Sequence, residues 1–251
     1  GMMVVPEGGA LFMHNMTQVV DGHTGVEHAL PIARCYADVL ALWSNTEVGH
    51  TPTLGVAYGG LGAENYWYAH TRVDQHKRLN RFVPRWVIDP KARRPRKAPK
   101  GSWNHIQAAR FAKALVDAGG RVQVGAHGQR EGLAVHWELW SFVQGGMSPV
   151  QALRAGTLDG ARYIGLDDDL GSLEPGKLAD LAIVKGRPDV DISHSERVKW
   201  TVVGGRVYDA SNLQPIVPKG RAPKRWFWQR AGHPSHGAAD SASEGCSCGV
   251  N

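Results

Sequence analysis

No apolar run in this 251-residue chain approaches the length of a membrane span, which excludes a spanning helix among these residues. Cysteine is scarce. Cys35, Cys246 and Cys248 are too few and too poorly spaced for a disulfide framework. Cys246-Ser247-Cys248 lies in a Gly/Ser-rich tail, where it reads as a pair of free thiols rather than a metal site. There is no P-loop, no GxGxxG fingerprint and no GxSxG elbow, which weighs against nucleotide binding and serine-hydrolase chemistry. No internal repeat is present, and no signal peptide is recognisable. The opening Gly1-Met2-Met3-Val4-Val5 reads as the inside of a strand, with the expectation that the chain continues something longer. The compartment is not legible.

With 42% hydrophobic and 21% charged residues, the chain can bury a core as one large domain or two small ones. Its net charge is +6, and much of it sits in the basic block 91–100. Such a block reads first as a solvated loop, with nucleic acid or an acidic partner the lesser reading.

Strand and helix signals alternate. Met2 to Pro6 reads as a buried strand and Thr24 to His28 as a second; Pro31 opens a helix to about Ser44. Thr46 to Val56 suggests a third strand. Leu61 to Ser102, rich in Tyr, Trp, Arg and Pro, reads as a long irregular insertion of the kind that serves as a lid or partner surface. A helix to Asp117, a strand at Arg121–Gly125 and a helix from Glu131 to Gln144 follow. Alternation of this kind argues for a parallel sheet with right-handed crossovers. Ser148 is an N-cap with Pro149 at the first helical position, and a second short helix begins near Leu158. Leu181–Val184 is a short apolar strand, expected buried, and Val198–Val203 with Arg206–Tyr208 forms a hairpin around Gly204-Gly205. From about Ala231 the tail has the composition of a disordered terminus.

In parallel α/β barrels, reactive groups stand at the C-terminal ends of the strands. Those ends carry Glu7, His28, His50 and His127. Imidazole and carboxylate suit a catalytic divalent metal, which makes hydroxide available near neutral pH. Tyr58, Tyr66, Trp67, Tyr68 and Trp103, with Arg72, Arg78, Arg81 and Arg85, either stack a planar ring and grip a carboxylate or form a satellite apolar cluster.

The run from Ser148-Pro149-Val150-Gln151-Ala152-Leu153-Arg154-Ala155-Gly156-Thr157 through Gly171-Ser172-Leu173-Glu174-Pro175-Gly176-Lys177-Leu178-Ala179-Asp180-Leu181 resembles the closing segment of metal-dependent amidohydrolases, in the imidazolonepropionase-like branch. The aromatic insertion and Gly-Ala-His-Gly-Gln further resemble a subgroup fused to a WD-like β-propeller. The resemblance implies an α/β chain: the C-terminal half of a (β/α)8 TIM-like barrel over residues 1–166, with an insertion at about 59–102. A small β-sandwich segment over 167–210 and a C-terminal extension over 211–251 complete the expected layout.

Gly25-Val26-Glu27-His28 resembles the strand-six Ile-Glu-His, so His28 is implied as a metal ligand; the alternative is a structural histidine beside a buried acid. Glu7 stands where the family has a ligand histidine, and either ligates or shapes a turn. His127 stands where the family has an aspartate, and is implied as ligand or general base. Two altered ligand positions depart from the family pattern. Val135-His136-Trp137-Glu138-Leu139 resembles the branch's His-x-Glu-Leu, with His136 orienting the site or packing the helix. His14 and His23 read as substrate-facing or solvated, and Tyr58 as substrate-binding. His50 is left outside the ligand set.

The implied function is hydrolysis of a C–N bond in a cyclic amide, imide or peptide-like small molecule, with zinc as the metal and iron as its substitute. The other reading is a catalytically silent binding module. The family's His-x-His of strand one is not in this sequence. The expected partners are therefore a missing N-terminal half of the barrel or another copy of the chain; no membrane partner is expected.

Overall fold

A computed structural model describes residues 2–32, 34–58, 60–128, 130–223, 226 and 228. The expected free thiols at Cys246 and Cys248 and the tail from Ala231 lie outside these residues.

The first unit is a three-stranded parallel sheet with helices packed on one face. After helix α1 (Phe12–Val20), strand β1 (Gly25–Glu27) leads through helix α2 (Ala37–Ser44) to strand β2 (Gly49–Thr51). Helices α3 (Ala63–His70), α4 (Lys77–Phe82), α5 (Arg85–Arg93) and α6 (Asn104–Asp117) precede strand β3 (Arg121–Val122). The order is β1-β2-β3, with Val26 opposite His50 and His50 opposite Val122. Side chains alternate across a strand, so these three share one face. That face packs on helices: His50 sets its ring edge on Trp43 of α2 and near Phe111 of α6.

The opposite face carries Gly25, Glu27, Gly49, Thr51 and Gln123. Its glycines have a reason. A Cβ on Gly25 or Gly49 would collide with the ring of Tyr163, so only glycine lets that ring lie against the strands. Tyr163 comes from beyond helix α7 (Ala134–Gln144) and helix α8 (Pro149–Ala155), on helix α9 (Leu158–Tyr163). The expected cap of α8 is present as a full capping box: Ser148 Oγ accepts from the Gln151 amide at 3.1 Å, and Gln151 Oε1 accepts from the Ser148 amide at 2.9 Å.

The second unit is an antiparallel sheet of β4 (Leu181–Val184), β5 (Val198–Val203), β6 (Arg206–Asp209) and β7 (Pro215–Val217), in that order. The 3-10 turn Ile192–Glu196 ties it to the helices: Trp140 Nε1 donates to the Ile192 carbonyl at 2.9 Å and lies 3.0 Å from Ser195 Oγ. Arg78 donates to the Glu196 and Val198 carbonyls at 3.1 and 2.5 Å.

Five sequence expectations are corrected. Residues 61–102 are largely helical, because Tyr68, Leu79 and Ile88 bury against the core and repay the order that their Pro-rich surroundings discourage. The described residues 31, 32 and 34–36 are not helical; α2 starts at Ala37. Met2 to Pro6 is exposed and is not a strand, although the Val4 and Pro6 carbonyls accept from the Thr24 and Glu27 amides at 2.8 and 3.2 Å. Strand β4 is not buried, since Ala182 and Ile183 lie exposed. The start of the basic block is no free loop either: Lys91 donates to both carboxylate oxygens of the buried Glu64 at 2.8 and 2.9 Å, and Arg93 pairs with Asp89.

Candidate functional site

Three of the singled-out side chains meet at the C-terminal ends of β1 and β3. The chain leaves β1 through His28, whose amide donates to the Thr51 carbonyl at 2.8 Å and whose φ is +69°. It leaves β3 through His127, with φ +55°. Thr53, just past β2, has φ +49°. Left-handed backbone costs a non-glycine residue about 1–2 kcal/mol, and such residues concentrate where function over-determines the geometry. Here three consecutive strand ends share it.

The rings of His28 and His127 lie 5.0 Å apart, centroid to centroid, and Tyr58 stands edge-on to His28 at 5.9 Å. His28 Nε2 is 3.0 Å from Glu7 Oε1, and the Glu7 backbone bridges to Glu27. In the neutral ring this pairing puts the proton on Nε2 and leaves Nδ1 as an acceptor. Burial lowers the His28 pKa from its ordinary value; the Glu7 carboxylate opposes that shift and the His127 ring adds to it. Tyr58 is anchored by its hydroxyl, which donates to the Gly8 carbonyl at 2.6 Å.

Beneath this cluster runs a polar network that the sequence reading missed. Glu27 Oε1 accepts from the Thr51 and Tyr163 hydroxyls at 2.9 and 2.8 Å, and Gln123 Nε2 donates to Thr51 Oγ1 at 2.7 Å. It joins all three strand regions directly under His28. Only the acid beside His28 was visible in the sequence; Tyr163 is 136 residues away from it. The second missed residue is Glu138. Its buried carboxylate accepts from the Leu54 amide at 2.9 Å and so fixes the loop between β2 and Tyr58. Burial pushes its pKa up to about 8, against the Leu54 and Gly55 amides that favour the ionised form.

His14 is exposed on α1 and reaches the cluster only through Gln18: its Nε2 is 3.0 Å from Gln18 Nε2, which donates weakly to the Glu7 carbonyl at 3.4 Å. His23 is not at the site. It precedes β1, at the opposite end of the strand from His28, with Nδ1 2.9 Å from the Gln18 carbonyl at the end of α1. His136 is not there either. It packs in α7 against Ser195, Nδ1 to Oγ 3.2 Å, and burial lowers its pKa to about 4. The arginines expected to grip a ligand are largely spent on protein: Arg72 on Asp74, Arg78 on two carbonyls, Arg85 on Asp89 and the Asp74 carbonyl. Tyr68 and Trp103 are buried in the fold.

The expected metal ligands His28, His127 and Glu7 do come together at this end of the sheet. Two imidazoles and a carboxylate are suitable donors, but Glu7 is turned onto His28. Among the described residues no group of three or more His, Cys, Asp or Glu is arranged to hold a metal ion. As they stand, these three side chains do not by themselves complete a ligand set.

Comparison with known proteins bears on the same region. Residues 84–208, which include His127 and Glu138, match the model of the Amidohydrolase family. The chain is 41% identical over 64 residues to an imidazolonepropionase of Geobacillus thermodenitrificans, covering 24% of the chain and 15% of that relative. It is 30% identical over 101 residues to an adenine deaminase of Mesorhizobium japonicum, covering 31% and 17%. In structure it is similar to an Xaa-Pro dipeptidase with methionine bound in the active site, with a TM-score of 0.58 and 23% identity over 83% of this chain and 45% of that one. The matches thus span less than a fifth of these sequence relatives and under half of the structural neighbour. Residues 84–208 are thus similar to the Amidohydrolase family, and the chain shares its α/β fold with the structural neighbour.

Proposed function

We propose that the chain contributes the His28–His127–Glu7 cluster to a hydrolase site for C–N bonds in a cyclic amide, imide or peptide-like small molecule. The observation that carries this is the convergence of two left-handed histidines at strand ends, with one imidazole held by a carboxylate. Relatives named for deamination and for imidazolone chemistry support the bond class. Hydrolysis puts the oxygen of water on carbon and a proton on the departing nitrogen. His127, exposed at its loop, takes the proton from the attacking water and returns it to the nitrogen. Glu7 orients His28 through its Nε2, burial favours the neutral ring, and Tyr58 closes one side of the space above it. Family members generally use divalent metals; because these three side chains do not complete a ligand set, no step is assigned to one here. In the same reading, a further polypeptide segment or a second copy of the chain completes the barrel, which size-exclusion measures.

The test is turnover of lactam, imide and dipeptide substrates by the purified chain, with and without added zinc or iron, and metal content after dialysis. We expect turnover that His127→Ala lowers at least about 100-fold at unchanged melting temperature. The second reading is a binding module without activity, motivated by the two ligand positions that depart from the family pattern. Wild-type protein that turns over nothing in either metal condition decides for it.

A further inference from the structure

Directly behind Tyr58 lies a cavity of about 220 Å³. Its wall is mainly apolar, from Leu30, Pro31, Ile32, Ala57, Ala108 and Tyr58, with Asn104 and the exposed Gln107 as polar members where it opens in part to solvent. The left-handed residue His28 turns the chain so that the following residues, Ala29 to Ile32, form one wall. Tyr58 is shared: one side of its ring meets His28, and the residue also lines the cavity. Its position is fixed at both ends, by its hydroxyl on the Gly8 carbonyl and by Asn104 Nδ2 donating to its own carbonyl at 3.2 Å.

The volume decides what fits. Whole-ligand pockets run from about 300 Å³ upward, so this one is too small for an entire substrate. An apolar cavity of about 150 Å³ holds a benzene ring and stays dry without it. A space of 220 Å³ therefore takes one planar six-membered ring or a branched aliphatic group. Asn104 and Gln107 can meet a polar atom at the edge of such a group.

We infer that this cavity is a specificity subsite, which takes a ring-sized apolar substituent placed next to the scissile C–N bond. The inference rests on the proposed hydrolase reading for its place in a substrate; the cavity's affinity for an apolar ring does not. It selects amides, imides or dipeptides that carry a phenyl-sized or leucine-sized group over those that carry hydrogen or methyl.

Fluorobenzene is the direct probe, followed by fluorine NMR on the whole chain. Wild-type protein should broaden and shift its resonance saturably, and Ala108→Phe, which fills the cavity, should weaken binding at least 10-fold. Leu30→Ala enlarges the same wall and should shift preference from fluorobenzene toward a fluoronaphthalene, which guards against a filled variant that fails to fold. Matched substrates differing only in phenyl against methyl should differ at least 10-fold in kcat/KM, and Ala108→Phe should bring that ratio close to one. Fluorobenzene binding that Ala108→Phe abolishes, in a protein without turnover, upholds the subsite while the hydrolase reading falls. No saturable binding by wild type, or equal binding by wild type and both variants, overturns the subsite whatever the turnover.

Discussion

Two groups of histidines in this chain differ in almost everything except chemistry. His28 and His127 sit at the ends of parallel strands, in left-handed backbone, with their rings in contact and a carboxylate alongside. His50, His105 and His136 sit in regular elements and face the interior. His50 is fully buried between aromatic rings and makes no well-formed hydrogen bond at either ring nitrogen; His105 has one, to Gln144 at 3.1 Å. Burial lowers the pKa of all three to about 4. The first group is placed at a cost in backbone strain. The second is placed at a cost in desolvation, and behaves as flat apolar filling. Residue type alone does not separate them; backbone conformation and what lies against the ring do.

The largest effect that tests this contrast is the dependence of stability on pH. Between about pH 6.5 and 4, the three interior imidazoles are protonated in the unfolded chain and neutral in the fold. The unfolded state then binds more protons, so stability falls as pH drops through that window. Each group contributes up to about 1.4 kcal/mol per pH unit, roughly 3 kcal/mol across its shift. Glu138 has the opposite sign: its carboxyl is raised, so the folded state holds a proton that the unfolded state releases. Its contribution is present below about pH 4.5 and is lost as pH rises through about 8. Three histidines outweigh one glutamate below pH 6.5, and the glutamate dominates above it. Urea unfolding against pH should therefore peak near pH 6.5. His50→Leu should remove about a third of the acid slope without lowering stability at neutral pH, since a similar volume replaces an unpartnered polar ring. A flat acid limb in wild type breaks the contrast.

Glu138→Gln sharpens it with a smaller effect. The amide keeps an acceptor for the Leu54 N–H and cannot ionise, so the decline between pH 6.5 and 8 should disappear while the acid limb stays. Because this side chain anchors the loop that leads to Tyr58, the variant should also raise KM more than it lowers kcat. An unchanged alkaline limb would show that Glu138 is ionised in the fold.

How much of this was legible follows the distance over which each feature is specified. The α8 cap is encoded within Ser148–Gln151, and β1, β2, α6 and the β5–β6 hairpin are encoded by their own patterns and turns, so all were readable. His28 and His127 could be singled out because a strand end is a local feature. Local signals failed where packing decides. Residues 61–102 look irregular by composition, yet fold as helices once Tyr68 and Ile88 find the core. The apolar run of β4 looks buried and is not. Gly25 and Gly49 read as weak strand residues until Tyr163 explains them, and nothing near Tyr163 announces its destination. The alternatives for His23 and His136 stayed open in the sequence for a related reason: proximity in sequence to a strand or motif says nothing of which end or face the ring occupies.

The smallest expected effect addresses the strain directly. His127 is exposed although its ring meets that of His28, and its φ of +55° is carried by an L-residue. Glycine visits that conformation without the Cβ penalty, although it costs more backbone entropy to order. His127→Gly should therefore raise stability by about 0.5–1 kcal/mol, read as a small rise in the urea midpoint at constant m-value. The same substitution should abolish any turnover the wild type shows, because the proton carrier is gone. His50→Gly should behave in the opposite way and lose several kcal/mol through the cavity it leaves. A protein more stable and less active than its parent at one histidine, and only less stable at the other, is what separates a strained functional position from a buried structural one. Should His127→Gly lower stability instead, the left-handed turn after β3 is held by contacts of the imidazole itself, and its strain carries no functional meaning.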